Sequence, residues 1–263
     1  MRPAQLHIVE TLGSTGADWP SADEMELARE VQMRLLNRCV PSLKTLEFGG
    51  CYLPAHSVGG DYYDFIPTGL GKVGIALGDI SGKGVPAAIM MASLQAILRS
   101  YLPGLSHDIA RLLRSVNRLF CECTAETHFA SLFLGEYEDD TRILHYANCG
   151  HNPPLIIRCD GTVDRLELTG TVLGMFRDWN CSLGEVILQD GDTLLLYTDG
   201  VTEAGNTTGE EFGEERLLHA VARFRNLPVS GLAHETAAIL RKFSGQRLGD
   251  DATLLVARCK ESF

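Results

Sequence analysis

The spacing of hydrophobic residues changes along the chain and divides it into segments. Residues 1–21 show no sustained periodicity and include glycine and proline, so we expect a flexible N-terminal tail there. A helix is predicted over 22–37, because Leu27, Val31 and Leu35 fall four residues apart and form an apolar stripe. Two interpretations of this stripe stay open: it packs on the helix's own domain, or it couples or dimerises with another helix.

Short strands interrupted by two pairs of helices are predicted from residue 46 onward. Apolar runs bounded by turn residues indicate strands, and longer segments with helical spacing indicate helices. The predicted strands are 46–54, 62–67, 72–78, 129–137, 142–148, 154–159, 162–168, 181–188, 192–198 and 252–259. The predicted helices are 85–102, 107–124, 213–225 and 229–244. This order indicates one α+β layered domain over 46–260, which a linker helix within 22–45 joins to the tail.

Composition and charge narrow the function classes. The chain has 263 residues, is 45% hydrophobic and carries a formal net charge of -11. It can fill a core, but it lacks the excess of Lys and Arg that DNA or RNA binding needs. No basic region followed by an apolar core opens the chain, and the longest apolar stretch, 87–98, is too short to span a membrane. We therefore expect a cytoplasmic protein without nucleic-acid or membrane partners.

The cysteines follow no disulfide or zinc-finger spacing. There are eight of them, at positions 39, 51, 121, 123, 149, 159, 181 and 259. None forms a Cys-x-x-Cys pair, so we interpret them as reduced residues that mostly serve packing. A zinc site of Cys121, Cys123, Cys149 and His151 is a weaker alternative, because the single Cys-x-Cys lacks a second matched pair.

Acidic residues stand where the chain leaves strands or tight turns. Asp61 follows two glycines, Asp79 and Asp199 each end an apolar run, and the pair Asp250-Asp251 opens the last predicted strand. Singly, such residues are ordinary turn formers. Together, carboxylates buried at strand ends would cost several kcal/mol each without cations, and hard oxygen ligands suit Mg²⁺ or Mn²⁺. The set favours a metal site, provided that the fold brings these aspartates together.

Five motifs, taken in order, resemble one known family. They are Gly59-Gly60-Asp61-Tyr62-Tyr63-Asp64-Phe65, Gly78-Asp79-Ile80-Ser81-Gly82-Lys83-Gly84, Gly150-His151-Asn152-Pro153-Pro154, Tyr197-Thr198-Asp199-Gly200-Val201-Thr202-Glu203-Ala204 and Asp250-Asp251-Ala252-Thr253. Over residues 24–259 they resemble the SpoIIE/RsbU branch of the metal-dependent PPM (type 2C) phosphatases. The resemblance implies two antiparallel β-sheets sandwiched between helix pairs, with two Mn²⁺ or Mg²⁺ ions in a cleft at one edge.

The resemblance also assigns roles to individual residues. It implies that Asp79 bridges both ions and that the backbone carbonyl of Ile80 is a further ligand. The other side-chain ligands that it implies are Asp61, Asp199 and Asp250, with Asp251 as the fallback for Asp250. By this interpretation, water held between the ions attacks phosphorus in line, and no covalent enzyme intermediate forms.

Three nearby positions are candidates for contact with the substrate. Lys83 suits phosphate as a point charge, although an exposed lysine in a glycine turn is more often only solvated. His151 is a candidate base, but the favoured interpretation is that His151 and Asn152 shape the turn before Pro153. Ser81 stands where the wider class usually has the histidine thought to protonate the leaving group. The general acid is therefore unassigned, and metal-bound water is an alternative.

The resemblance implies a phosphoserine or phosphothreonine on a small anti-anti-sigma-like (STAS) protein as substrate. In this branch a sensory or partner-binding region usually precedes the linker helix, so we expect either a separate activator protein or a missing upstream sensor domain. We also expect homodimers through the helix at 22–37. Two alternatives have other functions: a pseudophosphatase that only binds a phosphoprotein, and a phosphoesterase that acts on small molecules.

Overall fold

Two antiparallel sheets form the centre of the structure. The computed structural model describes residues 21–36, 41–103, 108–125, 127–245 and 247–260. The strands in these ranges are β1 (Leu46–Leu53), β2 (Tyr62–Gly69), β3 (Lys72–Ile80), β4 (Ala130–Glu138), β5 (Ile143–Cys149), β6 (Leu155–Ile157), β7 (Val163–Arg165), β8 (Gly184–Ile187), β9 (Thr193–Tyr197) and β10 (Ala252–Cys259). Sheet I has the order β1-β10-β9-β6-β7, and sheet II has the order β2-β3-β4-β5-β8. The predicted α+β class is confirmed.

The helices cover the outer faces of the two sheets. In the described part of the chain they are α1 (Ala22–Leu36), α2 (Gly84–Tyr101), α3 (Ile109–Cys123), α4 (Asp199–Thr202), α5 (Gly213–Arg223) and α6 (Val229–Phe243). The short helix α4 was not predicted. None of these helices combines the length and apolarity that a membrane-spanning segment requires. The tail at 1–20 and Cys39 lie outside the described residues, and the division into tail, linker and domain stays a prediction.

Side-chain alternation along the strands divides the interior into layers. In β9, Leu194 and Leu196 pack in the cluster between the two sheets, whereas Leu195 and Tyr197 pack against the side of sheet I that α5 and α6 cover. Helices α2 and α3 pack in the same way against the outer face of sheet II. The result is the predicted sandwich, in which a helix pair lies outside each sheet.

Three predicted strands are much shorter in the structure than in the sequence pattern. The segment 154–159 yields only β6. The segment 181–188 yields β8 only from Gly184, because Cys181 pairs through an isolated bridge with Gly170 rather than with β5. The segment 162–168 yields only β7, which pairs with β6 at the edge of sheet I. The spacing of apolar residues correctly predicted that each segment contains a strand. The length of each strand, however, is set by how many residues pair with the neighbouring strand.

Helix α1 is attached to the domain by polar contacts and by Leu36, which is buried in the core cluster with α2 and α3. Gln32 is buried and pairs with the backbone of Gly59 through both ends of its amide: Nε2 donates to the Gly59 carbonyl at 2.7 Å, and the Gly59 N–H donates to Oε1 at 3.0 Å. Gln95 of α2 donates to the carbonyl of Leu35 at 2.6 Å. The predicted apolar stripe is only partly covered, since Leu27 and Val31 are 61% and 51% exposed. Helix α1 therefore contacts the domain through one face and exposes an apolar face.

A buried ion pair connects α2 to sheet II. Asp64 of β2 is 1% exposed and faces Arg99 of α2, whose Nε donates to Oδ2 at 2.6 Å. The Tyr62 hydroxyl donates to the same oxygen at 3.1 Å, and the Phe65 N–H donates to Oδ1 at 2.9 Å. These bonds satisfy a carboxylate that would otherwise be costly to bury.

We expect Arg99→Leu to destabilise the protein, because it leaves the Asp64 carboxylate buried without a counter-charge. The free energy of unfolding should fall by about 2–3 kcal/mol, less than the full cost because Tyr62 and Phe65 still donate. Urea denaturation measures this change. Lys44→Met is the matched control, since Lys44 and Asp140 form a pair that is 83% exposed on both sides, and it should have little effect. Equal stability changes in Arg99→Leu and Lys44→Met would contradict the stabilising role of the Asp64–Arg99 ion pair.

Candidate metal centre

Antiparallel pairing brings the predicted aspartates to one corner of the sandwich. In sheet II, Tyr62 pairs with Gly78, so the start of β2 lies beside the end of β3 and Asp61 lies near Asp79. In sheet I, the end of β9 lies beside the start of β10, which places Asp199 near Asp250. The two pairs face each other across the sandwich, since the charges of Asp199 and Asp250 act on Asp79 and Thr253 bonds to Asp61.

Asp61 connects the two sheets at this corner. Its side chain is 1% exposed, and its Oδ2 accepts hydrogen bonds from the hydroxyls of Thr198 at 2.9 Å and Thr253 at 2.6 Å. Burial raises the pKa of Asp61 well above its usual range, the negative charge of Asp79 raises it further, and the Thr253 bond opposes both effects. A carboxylate in this position requires positive charge nearby to remain ionised.

The carboxyls of Asp79 and Asp199 repel each other and Asp250. Burial and, after it, the charges of Asp199 and Asp250 together raise the pKa of Asp79 to about 7. The pKa of Asp199 is also raised, first by burial and then by Asp250. Mutual repulsion among acidic oxygens is what a divalent cation relieves, and these oxygens are the ligands that Mg²⁺ and Mn²⁺ prefer. The donor set therefore fits such ions.

Two glycines bring the backbone close to the acidic residues. A Cβ on Gly60 would lie 2.9 Å from the carbonyl oxygen of Ile80, and a Cβ on Gly59 would overlap the carboxylate of Asp251. Only glycine permits both approaches. The Ile80 carbonyl, which was predicted as a backbone ligand, consequently lies against the loop that presents Asp61.

The structure distinguishes the roles of the two adjacent aspartates. Asp251 is 6% exposed, and both of its oxygens are used: Oδ1 accepts from the Ala55 N–H at 2.8 Å, and Oδ2 accepts from the Gly60 N–H at 2.7 Å. The Asp250 side chain is 43% exposed and faces Lys83. This arrangement favours Asp250 as the ligand and gives the fallback, Asp251, the role of holding the loop before Asp61.

Lys83 supplies positive charge at the corner. Its Nζ lies 2.8 Å from Oδ2 of Asp250 and donates to the Gly249 carbonyl at 2.6 Å, and the bond to Asp250 raises its pKa. Within the ranges that the structure describes, no three His, Cys, Asp or Glu side chains converge closely enough to enclose an ion as they stand.

His151 lies close to the corner but is buried. Its ring is 3% exposed, Nδ1 lies 2.8 Å from the Ser131 hydroxyl, and its backbone N–H donates to Oδ1 of Asn148 at 3.0 Å. Burial lowers the pKa of His151 to about 4, so the ring is neutral at physiological pH. This geometry supports the turn-shaping interpretation over a catalytic base. Asn152 follows it and is only half-buried.

Ser81 has a structural role at the end of β3. Its hydroxyl accepts a hydrogen bond from the Phe129 N–H at 2.9 Å, and its own N–H donates to the Phe129 carbonyl at 2.9 Å. Of the cysteines in the zinc alternative, Cys149 is buried in β5, the Cys121 thiol lies 3.9 Å from the Phe176 carbonyl, and Cys123 is exposed.

Thr198 and Thr253 were not predicted to have a role. Both hold Asp61, and the Thr198 hydroxyl also accepts from the Thr253 N–H at 2.9 Å. Both lie within quoted motifs. Thr198 directly precedes Asp199, which is a signal that could have identified it, whereas Thr253 stands three residues after Asp250.

Comparisons with known proteins agree with this geometry. The family described as Stage II sporulation protein E (SpoIIE) matches residues 69–260. The phosphoserine phosphatase RsbU of Bacillus subtilis is 31% identical over 246 residues, which cover 90% of this chain and 70% of RsbU. Across the curated relatives that it matches, the chain spans from 35% to 70% of their length.

Solved structures share the fold. The SiaA-PP2C domain of Pseudomonas aeruginosa superposes with a TM-score of 0.75 at 23% identity, covering 90% of this chain and 96% of that domain. The catalytic domain of the serine threonine protein phosphatase PstP, solved with 2 manganese ions, has a TM-score of 0.63 at 16% identity and covers 82% of this chain and 99% of its own.

The sandwich and its acidic corner define the class of metal-dependent PPM-type phosphatase domains. Within that class the chain belongs to the SpoIIE family, as the match over residues 69–260 and the RsbU relative show. The resemblance found in the motifs is confirmed, and so is the prediction that the chain is an enzyme of the phosphatase class.

We expect Asp79→Asn to have opposite effects with and without metal. The folded-state pKa of Asp79 is about 7, against an ordinary value of 3.8, so ionisation of Asp79 destabilises the metal-free protein as pH rises between these two values. At pH near 8 with chelator, Asp79→Asn should raise the free energy of unfolding by about 1 kcal/mol, which corresponds to a rise in melting temperature of roughly 2–4 °C. Mn²⁺ should stabilise the wild type but not the variant.

Differential scanning fluorimetry measures both effects. In chelator, the wild-type melting temperature should rise as pH falls from about 8 to 5, and this dependence should weaken in Asp79→Asn. A variant that is destabilised without metal, or that is still stabilised by Mn²⁺, would contradict the assignment of Asp79.

Proposed function

We propose that the chain is a metal-dependent protein serine/threonine phosphatase that hydrolyses a phosphoserine or phosphothreonine on a bacterial regulatory protein. The observation that carries the proposal is the corner at which both sheets present Asp61, Asp79, Asp199 and Asp250, with the pKa of Asp79 raised to about 7. The name of RsbU, a phosphoserine phosphatase, supports the same reaction.

The residues that would hold Mn²⁺ or Mg²⁺, two ions in this proposal, are Asp61, Asp79, Asp199 and Asp250, together with the backbone carbonyl of Ile80. When bound, the ions supply the charge that activates water and stabilises the negative oxygens in phosphoryl transfer. The manganese-containing PstP structure supports this choice of ions.

The chain's own residues orient the ligands. Thr198 and Thr253 fix one oxygen of Asp61, while Asp251 fixes the N–H of Gly60 beside it. Lys83 is 49% exposed beside Asp250, so on release from that pair it can meet a substrate phosphate. The buried, neutral His151 does not reach the substrate in this proposal. Solvent is proposed to protonate the leaving oxygen, because the Ser81 hydroxyl is bonded to the backbone of Phe129.

Phosphatase activity is tested with an aryl phosphate and a phosphoserine protein in Mn²⁺ and in chelator. We expect hydrolysis that requires Mn²⁺ and that falls by about 100-fold or more in Asp199→Asn, because a metal ligand is lost. Asp140→Asn, a change at an 83% exposed side chain, should leave the rate unchanged. Tight Mn²⁺ binding without turnover would instead favour the pseudophosphatase, and absence of Mn²⁺ binding would refute the metal assignment.

We propose a small STAS-type anti-anti-sigma protein as the substrate class, and either a separate activator or an upstream sensor region as the source of control. The resemblance to the SpoIIE/RsbU branch supports both. A comparison of substrates distinguishes this proposal from a phosphoesterase that acts on small molecules. A protein phosphatase should have a higher kcat/KM for phosphoprotein than for nucleotides or sugar phosphates.

We propose that a second copy of the chain covers the apolar face of α1. A groove of about 370 Å³ between α1 and α2 is lined largely by apolar side chains, including Leu27, Val31 and Ile89, which are 61%, 51% and 63% exposed. An isologous contact places this same patch on both partners, so apolar area is buried twice.

Light scattering coupled to size exclusion tests the dimer. The wild type should show twice the monomer mass, and Leu27→Glu with Val31→Glu should show the monomer mass, because charge cannot enter the contact without a partner. A control at the exposed, distant Leu70→Glu should remain dimeric. Equal masses for the wild type and the α1 variant would count against the dimer.

A further inference from the structure

A cleft with a basic rim lies between α6 and β1. Two cavities of about 550 and 500 Å³ share Leu53 and Arg241 and form one depression, which we call the α6 cleft. Its wall includes the apolar side chains of Cys51 and Ala237. Its basic residues are His234, Arg241, Lys242 and Arg247.

The basic side chains of the α6 cleft are exposed and not neutralised. Among the described lining residues there is no Asp or Glu, and Arg241, Lys242 and Arg247 form no ion pair within the described chain. Arg241 and Lys242 lie in the last turn of α6, where cations also stabilise the helix end. Arg247 lies beyond the helix, so that explanation does not extend to it. In a chain with a net charge of -11, this concentration of cations is unusual.

The α6 cleft adjoins the metal centre. Arg247 precedes the proposed ligand Asp250 by only three residues, so their Cα atoms lie within about 11 Å of each other. Ala55 lines the cleft and donates its N–H to Asp251 at 2.8 Å. A peptide in extended conformation covers that distance with about three or four residues.

Building on the proposed phosphatase function, we propose that the α6 cleft binds an acidic segment of the protein substrate, a few residues from the phosphorylated side chain. Carboxylates of that segment pair with Arg241 and Arg247, and an aliphatic side chain packs on the more accessible Cys51 and Ala238. The cleft is far larger than a phosphate ion and has an apolar wall, which suits a peptide better than a small anion. Charge complementarity of this kind selects among partners.

The test compares phosphoserine peptides that differ only in a run of about four Glu or Gln residues, placed about three to six positions to either side of the phosphoserine. With Mn²⁺, the wild type should prefer the Glu run on one side of the phosphoserine. For that placement, kcat/KM for the Glu peptide should be about tenfold higher than kcat/KM for the matching Gln peptide. In Arg241→Glu with Arg247→Glu this ratio should fall to about one or below. Arg111→Glu with Arg118→Glu makes the same charge change on exposed positions of α3 and should keep the wild-type ratio.

Each outcome either supports or overturns the assignment of the α6 cleft. A wild-type ratio near one on both sides of the phosphoserine, or an equal loss in the α3 control, overturns it. If the double variant does not fold, Arg247→Gln alone must give an intermediate ratio. If the wild type hydrolyses no phosphopeptide, the phosphatase proposal fails separately. Fluorescence anisotropy with the unphosphorylated Glu peptide then tests the α6 cleft directly. Binding that is lost in the cleft variant but kept in the α3 control supports the assignment. Absence of binding to the wild type, or equal binding to the wild type and the cleft variant, overturns it.

Discussion

The burial of the Asp61 carboxylate between two sheets is the constraint on which the metal centre depends. Sheet II contributes Asp61 itself, and sheet I contributes the two threonine hydroxyls that bond to one of its oxygens. Any relative movement of the sheets at this corner would break one of these bonds and leave a charged group buried without a partner, which is costly. The packing of the sandwich therefore sets the positions of the ligands that it supports.

Electrostatics at the corner work against the stability of the metal-free domain. Asp61, Asp79 and Asp199 all have raised pKa values, with burial as the largest cause in each case. A fold selected for stability alone would not concentrate acidic groups in this way, and Lys83 compensates for them only partly. Such a conflict between local stability and chemistry is typical of functional sites.

Much of the fold was predictable, because the spacing of apolar and turn residues within each segment determines most of its secondary structure. Apolar runs and turn residues located nearly all of the strands and longer helices, and the motifs indicated the sandwich through their resemblance to a family. The supporting contacts were not predictable: Thr253 meets Asp61 across 192 positions, and Asp251 meets Gly60 across 191. The burial of His151 was equally hidden, because Gly150-His151-Asn152 fits an exposed turn as well as a buried one.

The amide of Gln32 shows that the catalytic unit does not begin with its first strand. Both polar groups of the Gly59 backbone bond to a side chain of α1, two residues before Asp61. A chain shortened to start at β1 would retain every proposed ligand, yet the loop that presents Asp61 would lose its support. Although α1 lies before the first strand, its Gln32 supports the loop that carries the proposed ligand Asp61.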